Sequence, residues 1–444
     1  MSIETKVNVS NGHISPSGMA TKEESPSRPQ ASTAPELCKV AYLMSRFPKL
    51  TETFILYEMI AIEQEGIEVD VYPLRRERTH VVHSEAAPWV ERAHFHPFLS
   101  MEVLRVHLYF LRKAPLIYLG VLQTLLRANW GSFRYLTGAL ALFPKAVYFA
   151  RQMVQAEVDH LHAHFASHPA AAAFVIHQLT GIPYSFTAHG SDLHRDRHML
   201  CEKVAEAAFV VTISEYNRAV ILAECGEQWR DKVTVVHCGV SSDVFQDRTE
   251  PTPYEQGSAP FNIVCVGTLH EVKGQTYLIE ACRLLRKRHL DVVCHFAGDG
   301  PDQDALTKQA EQAGLKDCVH FHGRLKRDEV VQLLQRADAV VAPSVPSRDG
   351  RREGIPVALM EAMGSGVPVV ASDLSGIPEL VIDGASGLLA PPGDVDALAD
   401  ALEQLYHDSD LRQRLGGAGR DKVLREFNLH TNAATLARYF QRRS

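Results

Sequence analysis

Residues 348–371 read RDGRREGIPVALMEAMGSGVPVVA, and the predicted fold is organised around this stretch. Pro356 suits the first turn of a helix, and the later Gly-Ser-Gly ends that helix before an apolar strand. The amides around Gly354 and Ile355 then project from a helix N-terminus, where backbone N–H groups attract an anion. The stretch therefore predicts an anion-binding loop that leads through a helix into a strand.

Two carboxylates flank this predicted anion site. Glu353 lies in the loop just outside it, and Glu361 falls inside the helix behind it. An anion flanked by hydroxyls describes a sugar nucleotide. The pair also admits a glycoside hydrolase, with one carboxylate as acid and the other as nucleophile or base. Because Glu361 is set back in the helix, hydroxyl recognition fits better than hydrolysis, while a purely structural role for Glu361 stays open.

Strand and helix patterns alternate on both sides of a linker rich in Pro, Glu, Gln, Ser and Gly. This alternation predicts an α/β protein with two doubly wound Rossmann-like domains that face each other across a cleft. We predict, in chain order, a disordered tail, the first domain, the linker, the second domain and a helix that packs back on the first domain, at residues 1–36, 37–245, 246–260, 261–425 and 426–444.

Composition narrows the classes of function. The chain has 444 residues, of which 45% are hydrophobic, so it can bury a sizeable core. A formal net charge of −7 argues against a general nucleic-acid binder. The 8 cysteines are scattered without metal-finger spacing, which favours a reducing, cytosolic compartment.

Polar residues stand where strands are predicted to end. Arg46 and Thr51 follow the first strand, and His189 and Asp192 follow a strand at 182–187. Open α/β sheets bind ligands at the carboxyl ends of their strands. A binding role for these residues therefore competes with helix capping and solvated surface.

Three alternating histidines, at positions 160, 162 and 164, share one face of another predicted strand. The pattern invites a metal site, but no nearby carboxylate or further ligand cluster completes it. We therefore favour a protein without a metal.

Residues 103–156 contain no Asp or Glu, whereas Lys and Arg are interleaved with aromatic residues. The basic residues interrupt the apolar runs, so no run is long enough to span a bilayer. Basic helices with aromatic and leucine faces suit an anionic membrane surface. The alternative is a set of core-packed helices with a solvated basic face.

Lys273 follows a strand by a short turn that glycines flank, where an ammonium can balance a diphosphate. The Gly298-Asp299-Gly300 sequence in the same domain lacks the third glycine of the dinucleotide fingerprint. A dehydrogenase is therefore disfavoured.

These motifs resemble the retaining glycosyltransferases of family 4. The resemblance rests on GTLHEVKG, the E-x7-E stretch EGIPVALME, SGVPVVASDLSGIPELV and the HCGV loop. FPKLTETFILYE, LHAHFA and SFTAHGSDL resemble the exopolysaccharide branch, which includes colanic-acid-type enzymes. The family implies the two-domain GT-B fold, with the acceptor bound mainly by the first domain and the nucleotide sugar mainly by the second.

The resemblance also implies roles for individual residues. Glu361 holds the donor ribose, Glu353 holds the transferred sugar and Lys273 neutralises the phosphates, while His189 contacts the sugar near the reacting centre. The residues expected to bind the donor are Thr268, Lys273, Arg324, Glu353, Gly354, Ile355, Pro356 and Glu361. Those expected to act in catalysis are His189, Lys273 and Glu353, and those expected to bind the acceptor are Arg46, Thr51, His164 and Asp192.

The chain departs from the family at Thr268, where an arginine is usual. Threonine donates one hydrogen bond and supplies no charge, so half of the usual phosphate clamp is missing. Arg324, or Arg46 across the cleft, is expected to compensate.

The implied reaction is hexosyl transfer, with retention, from a nucleotide sugar to a glycan or polyprenyl-linked glycan in exopolysaccharide or other cell-surface polysaccharide synthesis. The diphosphate can take the acceptor proton, so neither a metal nor a cofactor is expected. A sugar-nucleotide epimerase of the same fold and a non-catalytic sugar-nucleotide-binding protein are the alternatives. We expect a cytoplasmic protein, peripheral on the cytoplasmic face of the membrane through residues 103–156.

Overall fold

The computed structural model of the chain describes residues 38–49, 52–77, 84–195, 197–241 and 259–442. The predicted tail lies outside these residues, as does the predicted linker except for residues 259 and 260.

Six parallel strands form the sheet of the first domain, in the order β2-β1-β3-β4-β5-β6. Every residue of β3, β4 and β5 is buried, as expected where helices cover both faces of a parallel sheet. The strands are β1 Lys39–Phe47, β2 Glu68–Arg76, β3 His160–His164, β4 Tyr184–Ala188, β5 Phe209–Thr212 and β6 Val233–Val235. The helices are α1 Thr53–Gln64, α2 Ala87–Arg92, α3 Met101–Lys113, α4 Pro115–Ala128, α5 Phe133–Gln155, α6 His168–Thr180, α7 Ser191–His194, α8 Leu200–Glu206 and α9 Glu215–Cys225.

The sheet of the second domain also has six parallel strands, in the order β12-β11-β10-β7-β8-β9. The strands are β7 Phe261–Val266, β8 Val292–Ala297, β9 Val319–Gly323, β10 Ala339–Ala342, β11 Val369–Ser372 and β12 Leu388–Ala390. The helices are α10 Gln275–Lys287, α11 Gln303–Gln312, α12 Arg327–Gln335, α13 Val357–Gly364, α14 Ile377–Leu380, α15 Val395–His407, α16 Ser409–Glu426 and α17 Leu429–Gln441.

Both sheets are doubly wound, which confirms the predicted fold class. The strand order reverses beside β1 in the first sheet and beside β7 in the second. In such sheets ligands bind at the carboxyl ends of the strands, next to the reversal. The loops after β7 and β10 therefore border the crevice of the second domain.

The chain returns to the first domain through α17. Leu436 and Phe440 of this helix are buried in the same apolar cluster as Val40 of β1 and Ile55 of α1. Just before it, α16 packs at the foot of α13, where a Cβ on Gly416 would stand 2.2 Å from the Gly366 carbonyl oxygen. The sequence pattern does not indicate this helix, because its glycines resemble helix breakers. Gly416 instead allows the close packing against α13.

Helices α3, α4 and α5 cover residues 101–155. Among the described residues, no helix combines the length and the apolar run that crossing a bilayer requires.

Candidate active site

The predicted anion-binding loop joins β10 to α13. Pro356 is the N-cap of α13, with extended backbone angles (φ −67°, ψ 124°), so the helix begins at Val357. The helix predicted behind Pro356 is thus confirmed. Gly354 and Ile355 lie just ahead of its N-terminus.

This loop meets the first domain at Gly354. A Cβ atom on Gly354 would stand 2.5 Å from the carbonyl oxygen of His189, which follows β4. On the facing side, Gly190 has a φ of 125°, and its added Cβ would lie 3.2 Å from Gly354 Cα. Glycine at both positions lets the two backbones touch across the cleft.

Lys273 and Glu353 form an ion pair inside the cleft. Lys273 ends a short turn after β7, and its Nζ lies 2.7 Å from Glu353 Oε2. The ammonium also lies close to Gly267, at the end of β7. The cation predicted for the phosphates and the carboxylate predicted for the sugar therefore neutralise each other here.

Glu361 lies behind that pair, in the second turn of α13. Burial raises the pKa of its carboxyl to about 7, and the positive charge of Arg327 opposes this shift. The Arg327 guanidinium stacks 4.2 Å over the ring of Tyr57, which belongs to α1 of the first domain. The Tyr57 hydroxyl is buried without a hydrogen-bond partner. Tyr57 of the first domain and Arg327 of the second therefore meet beside Glu361.

The His189 ring is buried at the end of β4. Its Nε2 lies 3.0 Å from His164 Nδ1, and its Nδ1 lies 3.8 Å from Cys238 Sγ. Burial, followed by the charge of His164, lowers the pKa of His189 well below its usual value. Both ring nitrogens thus face the protein, while the carbonyl oxygen faces Gly354. The predicted contact between His189 and the sugar stays a prediction.

Two residues expected to bind the acceptor need correction. Asp192 is buried, and its carboxylate accepts the amides of Ala166, His189 and Gly190 at 2.6, 3.0 and 2.8 Å. These bonds hold the turn after β4, so we assign Asp192 to that turn. His164 has no exposed surface and therefore does not reach an acceptor in this structure.

Three other residues predicted for the acceptor and the phosphates, Arg46, Thr268 and Arg324, lie at the surface. Arg46 pairs with Glu77 at 3.3 Å, and Thr51 lies outside the described residues. Thr268 is exposed, and Arg324, with 64% of its side chain exposed, pairs with Asp299 at 2.7 Å.

The histidines of β3 form a polar core. His162 reaches Ser185 Oγ at 2.8 Å through Nδ1 and Thr187 Oγ1 at 2.9 Å through Nε2. Glu58, His162 and His164 bring their ligand atoms within 4.8 Å of one another, the one such group in the described parts of the chain. Hydroxyls occupy both nitrogens of His162, so this ring would have to give up a hydrogen bond to ligate a metal. The expectation of a protein without a metal stays a prediction.

Several contacts between the domains could not be predicted from the sequence. Glu379 of α14 accepts the amides of Glu215 and Tyr216 at 2.8 and 2.9 Å, at the N-terminus of α9. Arg195 pairs with Asp349 at 2.9 Å. Neither a carboxylate cap from the other domain nor a pair this distant leaves a spacing pattern in the sequence.

Known proteins are similar to this chain in sequence and in fold. A model described as Glycosyltransferase Family 4 matches residues 127–244, and one described as Glycosyl transferases group 1 matches residues 248–422. WcaL of Salmonella typhimurium, a glycosyltransferase named for colanic acid biosynthesis, is 30% identical over 430 residues, which are 91% of this chain and 99% of that protein. The amylovoran biosynthesis glycosyltransferase AmsK of Erwinia amylovora is 35% identical over 262 residues, which are 57% of this chain and 62% of AmsK.

Among solved structures, Anabaena HepE in complex with UDP and glucose has the same fold. It superposes with a TM-score of 0.65 at 18% sequence identity, over 91% of this chain and 100% of that chain. The sequence match to WcaL extends over both domains, and the two doubly wound sheets agree with it. The chain therefore belongs to the family 4 glycosyltransferases and has the GT-B fold.

Proposed function

We propose that this glycosyltransferase moves a hexose, with retention, from a nucleotide sugar to a glycan or polyprenyl-linked glycan in exopolysaccharide or other cell-surface polysaccharide synthesis. The proposal that the protein binds a nucleotide sugar rests on one observation. Lys273, Glu353 and Glu361 are grouped around the N-terminus of α13. The names of WcaL and AmsK support the polysaccharide, because both refer to the synthesis of one. HepE, which has the same fold, holds UDP and glucose.

The Lys273–Glu353 ion pair supports a switch of partners when the donor binds. The diphosphate takes over Lys273, which frees Glu353 to accept hydroxyl groups of the transferred sugar. Glu361, half-buried in the second turn of α13, accepts the ribose hydroxyls. Because the 2.7 Å pair is already formed, Lys273 is held in place before the phosphates arrive.

The proposed chemistry needs positioning and charge more than a protein acid or base. The acceptor hydroxyl attacks on the face of the leaving group, and the departing diphosphate takes its proton. Lys273 and the amides ahead of α13 stabilise the charge that develops on that phosphate. Contact between Gly354 and His189 excludes water from the reacting centre. We propose that this transfer needs no metal.

Two contacts support Arg324 as the source of the charge that Thr268 lacks. The amide of Leu269, next to Thr268, donates to the carbonyl of Asp299 at 2.9 Å. The Asp299 carboxylate in turn holds the Arg324 guanidinium at 2.7 Å. We propose that Arg324 turns from Asp299 to the diphosphate, with Arg46 as the alternative from the first domain.

Lys273→Ala is expected to lower kcat/KM for transfer by roughly a hundred-fold or more, because a fixed cation at the leaving phosphate is lost. Transfer of a labelled sugar to a membrane extract measures the effect. Lys316→Ala is the control, since Lys316 is an 83% exposed lysine of the same domain. Undiminished transfer by the Lys273→Ala protein at full thermal stability would remove Lys273 from the site.

The two alternatives differ in what they do with a donor alone. An epimerase converts the sugar nucleotide without an acceptor, and a binding protein is stabilised by it without any turnover. A thermal-shift screen of UDP-, GDP-, ADP- and TDP-sugars identifies the donor, because a bound ligand stabilises the folded state. Incubation with that donor alone, then with membrane acceptor, separates the three functions.

We further propose that α3 and α4 rest on an anionic membrane at the cytoplasmic face. Their apolar face consists of exposed side chains, namely Leu104, Leu108, Leu111, Leu116, Ile117 and Leu119. Exposed cations lie on the same two helices, at Arg105, Arg112, Lys113 and Arg127, and at Arg134 at the start of α5. Trp130 and Phe133, which are 77% and 84% exposed, stand at the turn between α4 and α5. Exposed apolar side chains can insert into a lipid surface, and nearby cations are attracted to its anionic headgroups.

The cysteines support the proposal that the protein lies in a reducing compartment. All 8 lie in the described part of the chain, and none is joined in a disulfide. Thiols without disulfides fit a cytoplasmic protein. A lipid-linked acceptor would then be reached at the cytoplasmic face.

Leu104→Gln/Leu108→Gln/Leu111→Gln is expected to reduce flotation with anionic vesicles by roughly ten-fold or more, since three buried apolar contacts with lipid are lost. The measurement is co-flotation with phosphatidylserine vesicles at low salt. Ile382→Gln is the control, because Ile382 is also exposed but lies in the second domain. Absence of flotation by the unaltered protein, or equal flotation by the triple variant, would remove the membrane proposal.

A further inference from the structure

A line of polar side chains runs behind the His189 turn into the core of the first domain. It starts at Tyr42 of β1, whose hydroxyl donates to Glu58 Oε1 at 3.0 Å. The same oxygen lies 3.2 Å from His164 Nε2, within ion-pair distance but without the alignment of a full hydrogen bond. His164 Nδ1 then meets His189 Nε2 at 3.0 Å, and His189 Nδ1 faces Cys238 Sγ at 3.8 Å.

The hydrogen-bonding chemistry of these groups determines which of their atoms donate and which accept. A carboxylate only accepts hydrogen bonds, so His164 favours an N–H at Nε2, where a lone pair would be repelled by Glu58. A protonated His164 would also donate from Nδ1, whereas a neutral His164 has a lone pair there, which requires an N–H at His189 Nε2. In the neutral form, the line therefore runs from His189 toward Glu58. His189 Nδ1 is left as an acceptor that faces the thiol of Cys238. Burial keeps His189 neutral and Cys238 protonated, so the thiol faces the lone pair at His189 Nδ1. His164 Nε2 keeps a close approach to Glu58 without an aligned hydrogen bond.

The line ends at the backbone of His189, which contacts Gly354. We call the loop around Gly354, between β10 and α13, the donor loop. The His189 carbonyl oxygen is the atom that a Cβ on Gly354 would approach to 2.5 Å. Asp192 fixes the amides of His189 and Gly190 from one side, and the ring contact with His164 fixes the side chain from the other. A displacement of the whole His189 side chain, in contrast to a rotation of its ring, would pull on Cα and so on the carbonyl that contacts Gly354.

We propose that Glu58 and His164 are positioning residues that fix the His189 ring in its Nε2–H form and thereby hold the His189–Gly190 backbone against the donor loop. The inference rests on the proposed function, since it assigns these residues to the transfer step. They act through His189 and touch neither donor nor acceptor. Donor binding, which depends on the second domain, is independent of them.

The chain offers a matched control on the same strand. His160 and His164 are both fully buried in β3 and share one face, but His160 hydrogen-bonds Ser185 Oγ at 2.7 Å and lies outside the line. Comparing His164→Gln with His160→Gln therefore separates positioning from the general effect of altering a buried histidine.

The test measures kcat, the donor KM and thermal unfolding of both variants, with the donor that gives the largest thermal shift among UDP-, GDP-, ADP- and TDP-sugars. His164→Gln is expected to lower kcat roughly ten- to a hundred-fold, because small displacements at a reacting centre are that costly. Its donor KM stays within about two-fold of the original, since donor contacts are untouched. Glu58→Asp, which keeps the charge, is expected to retain more activity than Glu58→Gln. Equal losses of kcat in His160→Gln and His164→Gln would overturn the proposal.

A second readout does not depend on transfer. ¹⁵N spectra of the histidine rings, with the His189 signals assigned by their loss in His189→Gln, are expected to show His189 protonated at Nε2 and not at Nδ1. His164→Gln should shift these signals, whereas His160→Gln should not. A His189 ring protonated at Nδ1 overturns the positioning proposal even if the protein transfers sugar. If no donor yields transfer while His189 is protonated at Nε2, the proposed function fails and the assigned line of side chains stands.

Discussion

Gly354→Ala is expected to lower kcat for transfer by roughly a hundred-fold, since misplacement of about 1 Å at a reacting centre has effects of this size. The added Cβ would stand 2.5 Å from the His189 carbonyl oxygen. Real Cβ atoms essentially never come within 3.0 Å of such an atom, and the atom is backbone, so the cleft must open to relieve the clash. Lys273, Glu353 and Glu361 belong to the second domain, and their grouping survives that opening.

The substitution should therefore separate binding from transfer. We expect the affinity for the sugar nucleotide, measured by calorimetry, to change by less than about three-fold, while turnover falls. Gly417→Ala is the control, because a Cβ on Gly417 in α16 meets no atom within 4 Å. Full turnover by the Gly354→Ala protein would show that the contact between Gly354 and His189 is not needed for transfer.

The sequence predicts the loop and the helix around Pro356 well because these elements are local. Glu353, Pro356 and Glu361 fall within one loop and one helix, so spacing alone places the two carboxylates on either side of a helix N-terminus. Alternating strand and helix patterns likewise predict two doubly wound sheets. Strand order, in contrast, comes only from the structure, because short apolar runs do not encode their neighbours.

Contacts between distant segments limit what the sequence can predict. Lys273 and Glu353 are each recognisable from the sequence, but their mutual ion pair depends on how the loops after β7 and β10 meet. Asp192 and His164 follow or end strands, as binding residues often do, yet backbone amides and buried rings occupy them. Position at the carboxyl end of a strand therefore indicates proximity to the site without showing that a side chain faces the ligand.

The half-buried side chain of Glu361 connects donor binding with stability. Its pKa is raised from 4.5 to about 7, mainly by burial, so the folded protein binds this proton more tightly than the unfolded chain does. The resulting stability is fully present below pH 4.5 and is lost as the pH rises through about 7. Glu361→Gln cannot ionise and escapes this loss. We expect its unfolding free energy to exceed that of the original protein by about 1–3 kcal/mol at pH 8, with the gap closing as the pH falls.

Donor affinity should change in the opposite direction. Ribose hydroxyls donate to an ionised carboxylate more strongly than to a neutral group, so binding of the sugar nucleotide is expected to tighten by roughly ten-fold between pH 6 and 8. The phosphodiester groups of a sugar nucleotide stay ionised throughout this range, which leaves Glu361 as the group that titrates in the pocket we assign to the ribose. In Glu361→Gln the affinity at pH 8 should be roughly ten- to a hundred-fold weaker and nearly independent of pH. Calorimetric titration at several pH values, beside urea unfolding at the same values, measures both effects. A variant that is more stable at pH 8 but binds the donor as tightly as before would show that Glu361 is buried for another reason than ribose recognition.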